Sequence, residues 1–293
     1  MRTRAIVAAA SGALALSALA LPAAHAAGSA PSFRTEAAKA VAAAGRTTYA
    51  ASAGSTPNVS FSNFKIATAI KVGTSNHVAV PVTYSMTFDS TYKLGTTDYD
   101  NGPLIYKGSL AAPDNVLIAD NPATCTATSS TTANCTGQID IYPAAGTADA
   151  SYQLINSDAG KWTAGALAVT PTPNVSALKG DLATTSVQRY SKLTVDASPE
   201  PVKKGKTITV TGALTRANWE DNAYHGYTVQ PVKLQFRKAG STTYTTLKTV
   251  TSSSTGSLKT TVTATADGYF RYSFAGTSTT PAVSAAGDYV DVQ

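Results

Sequence analysis

Short runs of alternating apolar and polar residues constrain the fold of this chain more than any other feature. Residues 191–293 hold seven such runs, which are KLTVDA, KTITVTGAL, VKLQFRK, TYTTLKTV, SLKTTVTA, YFRYSFAG and GDYVDV. A period of two places successive side chains on opposite faces of a strand, so one face can be buried while the other is hydrated. Seven short strands bounded by turn residues predict a two-layered, all-β sandwich.

The alternation also predicts which residues form the core of this sandwich. One face of the strands is apolar and consists of Ile208, Val210, Val232, Leu234, Phe236, Phe270, Tyr272 and Phe274. The opposite face is polar and carries Lys233, Gln235, Arg237 and Arg271. We expect the first set to be buried and the second set to face water.

Residues 193–293 resemble the bacterial immunoglobulin-like domains of secreted Gram-positive proteins. The resemblance lies in SPEPVKKGKTITVTG, PVKLQFRKAGS, SSTGSLKTTVTA, DGYFRYSFAGTST and GDYVDV, with Gly205, Gly256 and Gly268 ahead of strands. It implies an immunoglobulin-like sandwich. Members of this family serve as spacers, adhesive stalks and binding modules, so the resemblance implies a fold much more than an activity.

The preceding residues predict a second sandwich. Its strand candidates are VSFSNFKIA, HVAVPVTYSMT, PLIYKGSL, NVLIAD, a cysteine hairpin, ASYQLI and KWTAGALAV, ending near Val175. Pro171 and Pro173 make a boundary plausible after them. We therefore expect two consecutive immunoglobulin-like sandwiches, over residues 57–190 and 191–293, and the 43% of hydrophobic residues suffices to fill both cores.

The amino terminus predicts export. Residues 1–26 have a basic start, an apolar run and an Ala-His-Ala cleavage site, as a secretory signal peptide does. Residues 27–56 read as an alanine-rich arm and linker, in which TEAAKAVAAAG predicts a short helix capped by Thr35, ended by Gly45 and loosely held. We expect a secreted, extracellular protein with no membrane span after cleavage.

Cys125 and Cys135 are the two cysteines of the chain. Zinc requires about four ligands, and no histidine lies near them in sequence. A redox pair requires Cys-x-x-Cys spacing, which this pair lacks. Because exported thiols pair, we predict a structural disulfide that closes one hairpin.

Charge gives no indication of a nucleic-acid partner. The formal net charge is +6, and residues 191–293 carry 11 Lys and Arg against 7 Asp and Glu. This excess could favour acidic polymers of an envelope, yet the lysines are scattered and form no basic block. We interpret them as hydrated strand faces.

Few residues could serve in catalysis. After signal cleavage, His77 and His225 are the only histidines, and His77 reads as a half-exposed residue at the start of a strand. Glu220 and Asp221 precede His225, but no Gly-x-Ser-x-Gly motif supports a triad. We expect no enzymatic activity and no cofactor.

The stretch DYDNG imitates the start of a calcium loop with Asp98, Asp100 and Gly102, but it lacks the downstream bidentate Glu. A hairpin turn at Asn101-Gly102 explains these residues more simply. We assign no metal ligand, although calcium bound between sandwich loops stays an alternative.

Aromatic side chains crowd residues 217–230, between two predicted strands. We assign Trp219, Tyr224, His225 and Tyr227 as a candidate ligand-binding loop, because aromatic rings with polar tips suit sugars or protein partners. The alternative is that Trp219 closes the end of the sandwich and Tyr227 begins the next strand. The sequence thus predicts a non-catalytic binding or structural module, such as a spacer, that is associated with the cell envelope or matrix and has an unidentified extracellular polymer or protein as its partner. The alternatives are a hydrolase or hydrolase accessory with a site between the domains, and a calcium-stabilised module.

Overall fold

The structure is a computed structural model that describes residues 32–44, 58–90, 92–94, 100–143, 153–170 and 175–293. The predicted signal peptide, much of the predicted linker and Asp98 lie outside these residues. Residues Pro31–Gln293 form one compact unit. The described part of the chain contains one α-helix and nineteen strands, so the predicted all-β fold class is confirmed.

The first sandwich has nine strands, listed in chain order: β1 Val59–Lys65, β2 Ala69–Val72, β3 Val78–Phe88, β4 Asp100–Ser109, β5 Ala112–Ile118, β6 Thr124–Ala127, β7 Thr132–Ile141, β8 Gly160–Thr170 and β9 Val175–Arg189. One sheet has the order β1-β3-β7-β6 and the other β2-β9-β8-β4-β5. The neighbours are antiparallel except β2 and β9, which are parallel. In immunoglobulin strand letters the first sheet is ABED. The second sheet is GFCC′, with β2 added at its edge beside β9. This half is therefore an immunoglobulin-like sandwich.

Two sequence predictions for this half are wrong. The run ASYQLI was predicted as a strand, but Gln153–Ile155 are irregular and lead into a 3₁₀ turn at Asn156–Asp158, while the first three residues of the run lie outside the described residues. The sandwich does not end near Val175, because β9 begins there and pairs along β8 as far as Val187. The many polar residues of β9 hid this edge of the sheet from the alternation pattern.

Helix α1, Phe33–Ala44, packs on the outer face of the β2-β9-β8-β4-β5 sheet. It begins two residues before the predicted cap Thr35, and Ser32 precedes it and accepts a hydrogen bond from the Glu36 backbone N–H. The expectation of a loosely held helix is wrong, because Ala37 is fully buried and Phe33 is 5% exposed. Small alanine side chains bury little area each, but they allow the helix to approach the sheet closely.

The predicted hairpin turn at Asn101-Gly102 is also wrong. Both residues lie inside β4, where they pair with Ala168 and Leu167 of β8. Glycine is needed at position 102 because the ring of Phe33 covers it: a Cβ there would lie 2.5 Å from the ring carbon Cζ. Gly102 is therefore explained by close packing of α1 on the sheet, and Asn101 by the hydrogen bond that its side chain accepts from the Tyr84 hydroxyl.

The second sandwich has ten strands: β10 Ser191–Leu193, β11 Asp196–Ser198, β12 Thr207–Asn218, β13 Ala223–Gly226, β14 Pro231–Lys238, β15 Thr245–Thr251, β16 Ser257–Thr263, β17 Gly268–Phe274, β18 Val283–Ser284 and β19 Asp288–Val290. In one sheet β12 pairs with β10, β11, β13 and β16. The other has the order β15-β14-β17-β18, with β19 also on β17. These are the ABE and C′CFG sheets of an immunoglobulin-like sandwich.

The predicted core of the second sandwich is confirmed except at Phe236, which is only partly buried and packs against the cluster. Ile208, Val210, Val232, Leu234 and Tyr272 are all fully buried in one hydrophobic cluster. The predicted polar face points outward.

Strand β12 is long enough to reach the first sandwich. Its residues 207–213 pair with β16, whereas residues 214–218 pair with β10 and β13. Ala217 and Trp219, at the end of this extension, belong to the hydrophobic cluster of the first sandwich. The β12–β13 hairpin thus joins the two sandwiches.

Polar contacts complete this junction. Arg189, at the end of β9, is 8% exposed and its Nε donates to the carbonyl of Ala217 at 2.6 Å. Burial, reinforced by neighbouring Arg216, lowers the pKa of Arg189 to about 10. The Tyr190 backbone N–H donates to the carbonyl of Val72 at 2.8 Å. These bonds satisfy backbone groups that the junction would otherwise leave without partners.

Candidate functional site

The predicted disulfide is present. Cys125 and Cys135 are bonded and lie directly opposite each other in the antiparallel pair β6–β7. Cys135 is 1% exposed and belongs to the core of the first sandwich. The bond therefore fixes one hairpin to the core and has a structural position.

Trp219 of the predicted aromatic loop is in the interior. Its side chain is 2% exposed, and the indole Nε1–H donates to the carbonyl of Gly73 at 3.0 Å. The Trp219 backbone N–H donates to Asn156 Oδ1 at 3.1 Å. The ring fills the base of the first sandwich, so a ligand at the surface does not meet it.

The other three residues of that loop do not share one surface. Tyr227 is 9% exposed and packs edge-on against Phe274. Tyr224 is partly buried, and the Lys192 ammonium lies 3.6 Å from its ring centroid. Burial raises the pKa of Tyr224. His225, the next residue of β13, points to the other side of the strand.

His225 lies on open surface. Its Nε2 is 2.6 Å from Asp221 Oδ2, with the two side chains 56% and 47% exposed. Water therefore reaches both side chains of the pair. The carboxylate required by the hydrolase alternative is present, and both side chains of the pair are about half exposed to solvent.

His77 lies directly before β3, as predicted, and belongs to a polar cluster that sequence reasoning did not identify. Its Nε2 is 2.8 Å from Asp140 Oδ1, and its ring stacks on Tyr142 with centroids 4.5 Å apart. Asp140 is 1% exposed and also accepts from Gln138 and from the Asp120 backbone N–H. The buried carboxylate is thus held by three donors.

The cluster continues to helix α1. Arg34 Nε lies 2.7 Å from Asp120 Oδ1, and Tyr142 donates its hydroxyl to Asp120 Oδ2. This bond to a carboxylate raises the pKa of Tyr142 to about 12. Ligand atoms of His77, Asp120 and Asp140 lie within 4.8 Å of one another, as in a metal site.

The donors around these carboxylates do not suit a metal. Each carboxylate oxygen of Asp120 and Asp140 already has a hydrogen-bond or ion-pair partner. The Arg34 guanidinium already provides the positive charge that a metal ion would provide. A metal would have to displace these bonds. The cluster is a closed network that ties α1 to the first sandwich.

An open groove of about 640 Å³ runs between α1 and the β4–β5 hairpin. Its lining is mainly alkyl, from residues that include Val41, Pro113 and Ile155. Asp158 at this groove accepts from Asn115 Nδ2 at 2.9 Å and from the Ile155 backbone N–H at 3.0 Å. Asp158 and Asn115 therefore have structural roles in the neighbouring turn.

The outer face of the C′CFG sheet of the second sandwich carries a continuous array of arginine and tyrosine side chains. We call it the arginine–tyrosine face, and it consists of Arg237, Tyr244, Tyr269, Arg271 and Tyr289. Strand register brings it together: Arg237 is opposite Tyr269, which is opposite Tyr289 on the next strand. Three strands therefore contribute to one row.

The rings and guanidinium groups of this face are in contact. The Arg237 Cζ lies 4.1 Å from the Tyr269 ring centroid and 5.3 Å from that of Tyr244. The Arg271 Cζ lies 3.7 Å from the Tyr244 centroid. Tyr269 and Tyr289 have centroids 5.1 Å apart, and Tyr289 is 40% exposed. One tyrosine ring is thus shared by two cations.

Sequence reasoning placed Arg237 and Arg271 on the polar face but did not identify the site. The available signal was the position of Arg271 two residues after Tyr269 in YFRYS, together with Tyr244 just before β15. Pairing of β14 with β17 converts this pattern into a cation–aromatic array.

Similar solved structures are immunoglobulin-like or fibronectin-like, at low similarity. A marsupial T cell receptor is 13% identical, with 80% of this chain and 73% of that chain covered and a TM-score of 0.35. Fibronectin(III)-like modules of Clostridium thermocellum CbhA are 10% identical, with 80% and 92% covered and a TM-score of 0.26. A membrane anchored protein from Corynebacterium diphtheriae is 13% identical, with 80% and 53% covered and a TM-score of 0.28.

No protein-family model and no curated protein matches the chain. At these TM-scores the solved structures carry no argument, and the fold assignment rests on the strand pairing described above. Within the described residues, no helix has the length and apolar character needed to cross a membrane.

Proposed function

We propose that this protein is a secreted, non-catalytic binding module of the cell envelope or extracellular matrix, and that it binds through the arginine–tyrosine face. The observation that carries the proposal is the array of two guanidinium groups and three tyrosine rings on one accessible sheet face. Tyr and Arg are enriched at protein binding surfaces because they combine large contact area with polar tips.

The position of the face supports this role. Tyr269 lies near the start of β17, whereas residues beyond the end of that strand contact the first sandwich: Gln188 Nε2 donates to the carbonyl of Thr277 at 3.2 Å. A seven-residue strand spans about 20 Å. The face is therefore at the end of the second sandwich that is away from the junction, where a large ligand can approach.

The cysteine pair supports secretion. Disulfides persist in oxidising compartments and are rare in the cytosol, so the Cys125–Cys135 bond fits an exported protein. The predicted signal peptide of residues 1–26 would provide the route.

The surroundings of the histidines support a non-catalytic role. His77 is stacked on Tyr142 and bonded to buried Asp140, in a network that holds α1. His225 is an exposed partner of Asp221. Both rings have structural or surface positions, which favours binding over catalysis.

Co-sedimentation tests the proposal. The disulfide-bonded chain from residue 27 is incubated with insoluble envelope and matrix preparations, and the bound fraction is compared with that of the variant Tyr244→Ala/Tyr269→Ala. We expect the native chain to sediment with one of these materials and the variant to remain in solution, since the variant removes the rings that hold both guanidinium groups. Circular dichroism melting confirms that the variant folds.

The matched control is Tyr190→Ala/Tyr224→Ala. It removes two tyrosines beside the junction, where Tyr190 is 41% exposed, and should bind like the native chain. If this control loses binding while the first variant keeps it, the loop predicted from the sequence is the binding site. If no preparation retains the native chain, the proposal is wrong and the spacer alternative is favoured.

A further inference from the structure

The guanidinium groups of the arginine–tyrosine face have few partners within the protein. Arg237 Nη1 donates to the carbonyl of Ser241 at 2.5 Å, and Arg271 Nε donates to Gln235 Oε1 at 2.9 Å. Neither side chain forms an ion pair with a carboxylate of the described residues. A guanidinium group has five N–H donors, so most donors on each group are available to a ligand.

Tyrosine stacking fixes the orientation of these donors. The Tyr244 ring lies against both guanidinium groups, and Tyr269 supports Arg237 from the next strand. A free arginine side chain loses considerable rotamer entropy when it binds, and stacking removes part of that loss in advance. The edges of the guanidinium planes are thus held ready for bidentate contact with carboxylate or phosphate oxygens.

A third cation extends the face along the strands. Lys233 is exposed on β14, opposite Ser273 of β17. Successive outward positions on a strand are separated by about 7 Å. Each successive outward row of the sheet therefore carries one cation, about 7 Å from the next. In order along the strands, these cations are Arg237, Arg271 and Lys233.

Acidic residues lie at one edge of the face, where Asp267 and Asp291 interact electrostatically with Tyr289. Asp288 accepts from the Ala197 backbone N–H at 2.6 Å, and Asp267 accepts from the Val292 backbone N–H at 2.8 Å. Both carboxylates serve backbone groups at the edge of the sandwich. Residues 191–293 carry 11 Lys and Arg against 7 Asp and Glu, and three of these cations lie on the face, which favours the approach of a polyanion.

We infer that the arginine–tyrosine face binds a linear polysaccharide or polyol polymer whose repeats carry carboxylate or phosphate groups. This inference rests on the proposed function and names the class of its ligand. The guanidinium groups and Lys233 contact successive anionic groups, while the tyrosine rings contact the backbone between them. Spaced cations favour a chain of repeated anions over a single small anion.

Binding to defined polymers tests the inference. The probes are poly(glycerol phosphate), polygalacturonate and neutral dextran, measured by calorimetry with the chain from residue 27. We expect binding to one or both of the anionic polymers and none to dextran. Three ionic contacts to a flexible polyanion predict about 20-fold weaker binding when salt rises from about 50 to about 200 mM.

Charge-matched variants locate the site. Arg237→Gln/Arg271→Gln should weaken binding at least about tenfold, which corresponds to loss of one charge-assisted contact. Arg237→Lys/Arg271→Lys keeps the charge without the planar fork and should give an intermediate loss. The control Lys206→Gln/Lys259→Gln removes two exposed cations associated with the other sheet and should leave affinity unchanged.

Each contrary result has a distinct meaning. Equal loss in the control means that net charge alone attracts the polymer, which overturns the inference. Tighter binding to a single-stranded DNA oligomer than to either polymer also overturns it. Dextran binding that depends on Tyr244 and Tyr269, or envelope sedimentation without any binding to the anionic probes, refutes the anionic ligand while the proposed function stands.

Discussion

Replacing Trp219 by Ala should separate the unfolding of the two sandwiches. The side chain extends from the second sandwich but is 2% exposed within the core of the first. Truncating a buried tryptophan costs about 3–5 kcal/mol, and the carbonyl of Gly73 also loses its indole donor. We therefore expect the free energy of unfolding to fall by about 4 kcal/mol. Trp219→Phe keeps most of the packing and should lose about 1–2 kcal/mol.

Urea denaturation followed by two probes measures this effect. The chain has two tryptophans, so fluorescence of a Trp219 variant reports Trp162 alone, which lies in the first sandwich. Far-ultraviolet circular dichroism reports both sandwiches. The native transitions should coincide, because the junction couples the two cores. In Trp219→Ala, the fluorescence transition should move to lower urea than the main circular dichroism transition.

Trp162→Ala is the matched control, because this ring is 1% exposed and its Nε1 donates to the carbonyl of Asp158 at 2.8 Å. It should destabilise the first sandwich by a similar amount without removing the junction. Because Trp219 is then the remaining tryptophan, its fluorescence and circular dichroism are the two probes. A loss below about 1 kcal/mol in Trp219→Ala, with coincident transitions, would refute the assignment of Trp219 as the link between the cores.

Three further predictions concern the disulfide, the helix contact and alkaline pH. Reducing the Cys125–Cys135 disulfide should lower the free energy of unfolding by about 3 kcal/mol. Dithiothreitol should therefore lower the urea midpoint of the native chain, but it should not change the midpoint of a Cys125→Ser/Cys135→Ser variant. Gly102→Ala should cost about 1–3 kcal/mol by overpacking against Phe33, and Phe33→Leu should relieve part of that cost in a double-mutant cycle. Burial raises the pKa of Tyr272 to about 12, so between pH 10 and 12 the unfolded chain loses a proton that the folded chain keeps. Stability should then fall by about 1.4 kcal/mol per pH unit from this group, and the fall should be shallower in Tyr272→Phe.

The local alternation of residues was sufficient to predict most strands of the second sandwich. In β17, the pattern of Phe270, Tyr272 and Phe274 inward and Arg271 outward appears in the structure as it does in the sequence. Local patterns failed where the partner is distant in the chain. Helix α1 was expected to be loosely held because its alanine face looked poor in apolar area, but the sheet beneath it supplies Leu104 and the other large side chains.

The loop around Trp219 and the arginine–tyrosine face together show why the candidate site could not be predicted from the sequence. A loop between two strands of a sandwich is exposed only where nothing else packs at that end, and the loop with Trp219 meets the first sandwich there. The arginine–tyrosine face depends instead on register: Arg237 meets Tyr269 only because β14 pairs with β17 at that offset, across more than 30 intervening residues. Crowding of aromatic residues in sequence therefore marked the junction, whereas the accessible aromatic residues are spread over several strands and come together through sheet pairing.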